Sequence, residues 1–290
     1  MAAFKSKATV VDRNKNPNSR LRKSIYLLPN MLTAFNMVLG LLAIVYAIND
    51  SLSLGMETSG IIPFVLSAKF IVAAAFFDFM DGFVARATGT TSKFGMEFDS
   101  LSDLISFGIA PALLLYLSVL RYIPILGLGL SIMIFYIVCA AIRLARFNVQ
   151  AQVEEKSGFM GLPSPAAAGL LASYVLLAHW SGWYEKTIIV NKVMHWYEEN
   201  ISFFELTIIP IMVVMVALVM VSTIAFPSLK KWNWEKVKPW TLAFIVVTIC
   251  MLVYAVEFTA FALLTAYLLW GITRALTKKV FKIKPKKTEA

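Results

Sequence analysis

Apolar residues run along this chain in long blocks, and each block is closed by a short polar or aromatic stretch. A helix needs about 20 apolar residues to cross the hydrocarbon core of a bilayer. By that measure the pattern predicts eight spans, at about 27–48, 61–86, 98–119, 123–147, 165–182, 203–226, 239–256 and 258–276. The last two meet so closely around Glu257 that a re-entrant hairpin or one broken unit also fits. The expected fold class is all-α, a polytopic membrane bundle. It divides into a basic tail over 1–26, a transmembrane domain over 27–276 and a second basic tail over 277–290.

Composition agrees with the pattern. The 290 residues are 59% apolar and 15% charged, where soluble proteins carry about 25% charged residues. An ordinary water-soluble domain is excluded. The first 26 residues have no short apolar core followed by a small-residue cleavage site, so a secretory signal is not expected. Cys139 and Cys250 both fall in apolar blocks, as packing residues do.

Basic residues are distributed unevenly between the two sides. Of 27 Lys and Arg, seven lie in the first tail, two in 86–97, three at Arg143, Arg146 and Lys156, four in 227–238 and seven from Arg274 onward. Arg121, Lys186 and Lys192 fall on the opposite side and Lys69 lies within a span. Positive charge accumulates on the cytoplasmic side, so both termini and the 86–97 loop are expected there, in an inner or cytoplasmic membrane. The net charge of +10 is spread over juxtamembrane segments, which suits anionic lipid head groups rather than nucleic acid.

Against this apolar background stands D-x2-D-G-x2-A-R-x8-G-x3-D-x3-D, from Asp78 to Asp103. Carboxylates are costly inside a membrane and mark function there. At about 100° per residue, Asp81, Gly82 and Ala85 fall within about 60° of Asp78 on one helix face. Gly95, Asp99 and Asp103, at i, i+4 and i+8, form a stripe on the next helix. If the two helices are antiparallel neighbours, four carboxylates converge beside a floor of small residues. Oxygen ligands without Cys or His favour Mg²⁺ or Mn²⁺, with Ca²⁺ as a third option. Four carboxylates can hold two such ions, the arrangement that clamps a phosphate in transfer chemistry. Pairing with basic residues in a structural network is the alternative, but Arg86 and Lys93 are the only nearby basic residues, too few to neutralise four aspartates.

This pattern resembles the signature of the CDP-alcohol phosphotransferase family, with all eight specified positions present over 26 residues. The resemblance implies an integral membrane enzyme that uses a divalent metal to move a phosphatidyl or related group from a CDP-linked donor to an alcohol. It implies that Asp78, Asp81 and Asp99 are metal ligands, and that Asp103 both approaches the metal and takes the proton of the acceptor hydroxyl. Gly82, Ala85 and Gly95 would leave room for the nucleotide, although glycines in membrane helices are often plain packing positions. Arg86 would grip phosphate oxygens through its planar fork.

Four further phrases, LPNMLT (28–33), SFGIAPA (106–112), RLARFN (143–148) and GLPSPAAAG (161–169), look like the phosphatidylserine synthase branch of the family. That likeness covers most of the chain to about residue 230. It implies CDP-diacylglycerol and L-serine as substrates and a homodimer. Serine carries a carboxylate that needs a fixed cation. Arg143 and Arg146, at i and i+3, can serve serine and lipid phosphate, or else anchor the helix at the interface by snorkelling. Ser164 can contact substrate, or the GLPSP segment can be only a rigid helix start. Asn30 and Thr33, one turn apart, can bind cytosine or donor phosphate, unless Thr33 satisfies its own helix carbonyl. Other acceptors (inositol phosphate, glycerol phosphate or choline) remain open, and so does a cation transporter in which the buried acids bind the transported ion.

Overall fold

The computed structural model describes residues 17–53, 64–90, 92–153, 161–180, 207–224 and 256–283. Among the described residues there is no strand. The helices are α1 (Pro17–Ser53), α2 (Val65–Thr88), α3 (Lys93–Asp103), α4 (Ala110–Ser118), α5 (Leu128–Val153), α6 (Ser164–Trp180), α7 (Ile209–Val221) and α8 (Val256–Ile283). A π-helical turn, Leu104–Ile109, joins α3 to α4 without a break. Leu27–Leu52, Lys93–Ser118 and Leu128–Gln150 are long and apolar enough to cross a membrane. The 24 residues of α2 reach the same length while carrying Lys69, Asp78, Asp81 and Arg86. The chain is an all-α integral membrane protein. The predicted span 239–256, save its last residue, and Cys250 lie outside the described residues, whereas Cys139 is buried as a free thiol. Helix α1 begins ten residues before its predicted span and α8 runs past residue 276. Lys and Arg are good helix formers, so the helices continue into the basic flanks.

Contacts between named residues give the topology. Thr33 meets Asp81, Ala43 meets Ser67 and Asp50 meets Phe64, so α1 and α2 are antiparallel. Thr33 meets Ser102 and Asn36 meets Ser106, so α1 and the α3–α4 rod run parallel. Tyr136 meets Phe107 and Asn148 meets Ser100, which sets α5 antiparallel to that rod. Gly169 faces Leu264 and Tyr174 faces Phe261, so α8 runs antiparallel to α6.

Polar contacts through small residues hold this arrangement in register. On α1 the buried positions Thr33, Asn36, Gly40, Ala43 and Ala47 recur at helical intervals. Small residues let backbones approach, and hydroxyls then reach across to carbonyls. Ser102 Oγ donates to the Thr33 carbonyl at 3.0 Å, Ser106 Oγ to that of Asn36 at 2.9 Å, and Ser67 Oγ to that of Ala43 at 2.7 Å. A Cβ on Gly40 would lie 2.8 Å from Ser106 Cα, so only glycine fits there. The chain turns between α2 and α3 in four residues. Gly89 adopts φ 64 in the left-handed region, Thr90 N–H donates to the Ala85 carbonyl at 3.0 Å, and Ser92 Oγ caps α3 by accepting from Gly95 N–H at 3.0 Å.

The π turn has a local cause as well. Pro111 has no N–H for the carbonyl four residues earlier, which belongs to Phe107. The hydroxyl of fully buried Tyr136 donates to that oxygen instead, at 3.1 Å. Asp103 sits at the junction of α3 and this turn.

Replacing Gly40 with alanine is expected to cost about 1–3 kcal/mol by overpacking. Gly89→Asn occupies an open left-handed position that asparagine tolerates, and it should stay within about 0.5 kcal/mol. Unfolding in detergent micelles measures both, and an unaltered Gly40→Ala midpoint would contradict the close α1–α3 contact.

Candidate active site

Three of the four signature aspartates come together. One carboxylate oxygen from each of Asp78, Asp99 and Asp103 lies within 4.8 Å of the others. Asp78 comes from α2 and the other two from α3, brought together by the short turn between those helices. Asp103 is buried, and Asp78 and Asp99 are half-buried. Three carboxylates this close repel one another in apolar surroundings unless a cation lies among them. Asp99 Oδ1 is buried without a hydrogen-bond partner. An orphaned acceptor inside an all-oxygen cluster fits a hard divalent ion.

Asp81 lies outside that tight group. Thr33 Oγ1 is 2.8 Å from Asp81 Oδ2 and 3.1 Å from the Pro29 carbonyl, so its single proton is shared between the carboxylate and its own helix. The helix-carbonyl reading of Thr33 is therefore present, together with a contact to Asp81 that the sequence did not assign. The contact ties the start of the α1 span to the acidic face of α2.

Beside the aspartates opens a cleft lined by Pro29, Asn30, Thr33, Asp81, Gly82, Ala85, Arg86, Thr90, Ser92, Gly95, Met96 and Asp99. All six residues that the sequence assigned to the donor nucleotide line it: Asn30, Thr33, Gly82, Ala85, Arg86 and Gly95. Asp99 belongs to both the cleft and the carboxylate cluster. The glycines have specific neighbours. A Cβ on Gly82 would lie 3.2 Å from Arg86 Nη1, so the bare glycine lets the guanidinium fold across it. A Cβ on Gly95 would lie 3.1 Å from Ser92 Oγ and 3.3 Å from Asn30 Oδ1, so Gly95 lets both side chains close in.

The arginines of α5 part company. Arg143 is only 9% exposed, which is not the position of a snorkelling anchor. Its Nη1 donates to Ser164 Oγ at 2.6 Å, its Nε is buried without a partner, and it interacts electrostatically with Asp103 and Asp78. This corrects the sequence expectation that Arg86 and Lys93 are the only cations near the acids. Residues 40 positions apart in sequence meet here through the α3–α5 packing. Arg146 donates from Nη1 to the Val221 carbonyl at 3.0 Å, at the C-terminal end of α7, where cations offset the helix dipole. The same end of α7 accepts Gly161 N–H at the Ile224 carbonyl, 2.8 Å away, and Leu162 N–H at Val219, 3.3 Å away. Gly161 has φ 83, and a Cβ there would lie 2.3 Å from the Met220 carbonyl oxygen. The GLPSP segment is thus both a rigid helix start and the support that presents Ser164 to Arg143.

Three residues near the site went unassigned in the sequence. Asn36, fully buried, donates from Nδ2 to Asp103 Oδ1 at 3.4 Å. Its signal was available, since it extends the polar series of Asn30 and Thr33 at helical spacing. Tyr136 and Tyr267 both lie near Arg143. Neither position carries a local sequence cue, and Tyr267 lies on α8, past the segment that carries the resemblance.

A family model described as CDP-alcohol phosphatidyltransferase matches residues 26–204. The CDP-diacylglycerol–serine O-phosphatidyltransferase of Helicobacter pylori is 35% identical over 253 residues, which span 87% of this chain and 92% of that protein. A protein of the same description from Methanocaldococcus jannaschii is 30% identical over 231 residues, or 79% of this chain and 94% of the other. An archaetidylserine synthase of Methanothermobacter thermautotrophicus is 36% identical over 168 residues, covering 57% and 64%.

Asp78→Asn and Asp99→Asn are each expected to weaken Mn²⁺ binding by about tenfold or more, since even groups behind the ligands are worth that much at metal sites. Glu97→Gln alters an exposed residue on the same helix and should leave binding unchanged. Loss of the free Mn²⁺ resonance on titration reads the affinity. Undiminished binding by Asp99→Asn would contradict the assignment.

Proposed function

The chain belongs to the CDP-alcohol phosphatidyltransferase family, and from that premise we propose that it transfers the phosphatidyl group of CDP-diacylglycerol to the hydroxyl of L-serine, releasing CMP. The observation that carries this reading is the continuity of the site. The cleft beside Arg86 and the carboxylate cluster share Asp99, and Asp103 and Asp78 of that cluster interact with Arg143. The serine transferases of Helicobacter pylori and Methanocaldococcus jannaschii align over more than nine-tenths of their own lengths and support serine as the acceptor.

Each group has a task in this order. Asn30, Thr33, Gly82, Ala85 and Gly95 shape the cleft that receives the cytidine portion, and Arg86 grips the pyrophosphate. Asp78, Asp81, Asp99 and Asp103 hold divalent ions, two Mg²⁺ or Mn²⁺ being our reading and Ca²⁺ the alternative. When bound, such ions neutralise phosphate oxygens and stabilise the departing CMP. Asp81, tied to Thr33, links the nucleotide cleft to that centre. Arg143 faces the serine carboxylate, supported by Ser164. Arg146 secures α7 behind it and remains a candidate for lipid phosphate.

The transfer is a direct displacement. The serine oxygen forms a bond to the phosphorus that carries diacylglycerol, the bond from that phosphorus to CMP breaks, and the hydroxyl proton passes to Asp103. A base here need only lie within hydrogen-bond reach of the hydroxyl. Burial of Asp103 among helices keeps bulk water from competing for the phosphorus. Both termini and the site face the cytoplasm, an orientation supported by the charge asymmetry. The family resemblance supports a homodimer.

Purified protein with CDP-diacylglycerol, Mn²⁺ and labelled serine should release CMP and form phosphatidylserine. Release with inositol phosphate, glycerol phosphate or choline but not serine would move the chain to another acceptor class. Asp103→Asn is expected to lower kcat by at least about a hundredfold while largely sparing donor binding. Undiminished turnover would remove Asp103 as the base.

A further inference from the structure

Two buried polar atoms next to Asp103 have no hydrogen-bond partner, and they differ in kind. One is Asn36 Oδ1, an acceptor. The other is Arg143 Nε, a donor. Their side chains are 0% and 9% exposed. Both residues engage Asp103, Asn36 through Nδ2 at 3.4 Å and Arg143 electrostatically. Native interiors rarely leave such atoms unsatisfied, because each forfeits the hydrogen bonds it would make in water.

The backbone around Asn36 is held firmly. Its carbonyl accepts from Ser106 Oγ at 2.9 Å, and Gly40, one turn on, allows no side chain against Ser106. The carboxamide therefore has little freedom to turn away from Asp103. Placing its NH₂ toward the carboxylate leaves the oxygen for something else, and that something must be a donor. The cleft lined by Asn30 and Arg86 includes neither Asn36 nor Arg143, and both instead engage Asp103, which the cleft lining also leaves out.

We infer that Asn36 is the specificity-determining residue for the acceptor's ammonium group. This deepens the proposed function and rests on it. Serine offers three polar groups, and this flank offers a match for each: Arg143 for the carboxylate, Asp103 for the hydroxyl and Asn36 Oδ1 for the ammonium. A neutral carboxamide suits the task because a further carboxylate would add like charge to a cluster that already holds three. A site built to hydrogen-bond a substrate N–H discriminates strongly against analogues without it, because its own polar atom is then left buried and unpaired. An acceptor with a hydroxyl and a carboxylate but no ammonium is disfavoured on this ground.

The test compares Asn36→Leu with the unsubstituted protein in full-length form. Serine KM is read from CMP release. The inhibition constant of 3-hydroxypropionate is read in the same assay, since it keeps the carboxylate and hydroxyl but lacks the ammonium. Asn36→Leu should raise serine KM at least tenfold, with the 3-hydroxypropionate constant unchanged or lowered and the KM for CDP-diacylglycerol within twofold of the parent value. Unchanged serine KM overturns the inference. An equal rise for serine and 3-hydroxypropionate overturns it too, because it signals general distortion. If Asn36→Leu does not survive purification, Asn36→Ala is judged by the same ratio. Failure of the parent protein to release CMP with serine would instead sink the proposed function.

Discussion

A carboxylate inside an apolar helix bundle must be compensated, and this molecule places several together. Asp78, Asp99 and Asp103 hold their oxygens within 4.8 Å, where repulsion in a low dielectric is severe. Nothing in ordinary packing favours such a cluster. The surrounding helices, the short α2–α3 turn and the polar contacts along α1 all act to maintain it, and a divalent ion is the compensation that oxygen ligands at this spacing suit.

The register of α1 explains how helices with little hydrophobic driving force between them hold such a centre. Lipid is as apolar as the helices, so close backbone approach and interhelical hydrogen bonds do the aligning. Ser102, Ser106 and Ser67 each donate to an α1 carbonyl, and Gly40 lets the backbones touch. The same stripe carries Thr33 and Asn36 to Asp81 and Asp103. Structural register and chemistry are therefore set by one helix face. The π turn after Asp103, held by Tyr136, fixes the other side.

Much of the site was legible in the sequence because it is local. Helical periodicity places Asp78 with Gly82 and Ala85, and Asp99 with Asp103, on the faces where they are found. The six residues assigned to the nucleotide line one cleft for the same reason. What escaped depends on contacts between distant segments. The approach of Arg143 to Asp103 requires α5 to pack antiparallel to α3, and Tyr267 comes near Arg143 only because α8 packs on α6. Asn36 is a different case: one polar residue in an apolar span looks unremarkable until its neighbours Thr33 and Asn30 are placed on the same face. The divergence between Arg143 and Arg146 was also hidden, since it depends on where α7 ends.

Crystals of the protein grown with Mn²⁺ and measured at the manganese absorption edge test the central claim most directly. The account predicts anomalous density within coordination distance, about 2.1 Å, of carboxylate oxygens from Asp78, Asp99 and Asp103. Manganese bound elsewhere, with those three carboxylates turned apart or neutralised by arginine, would contradict it.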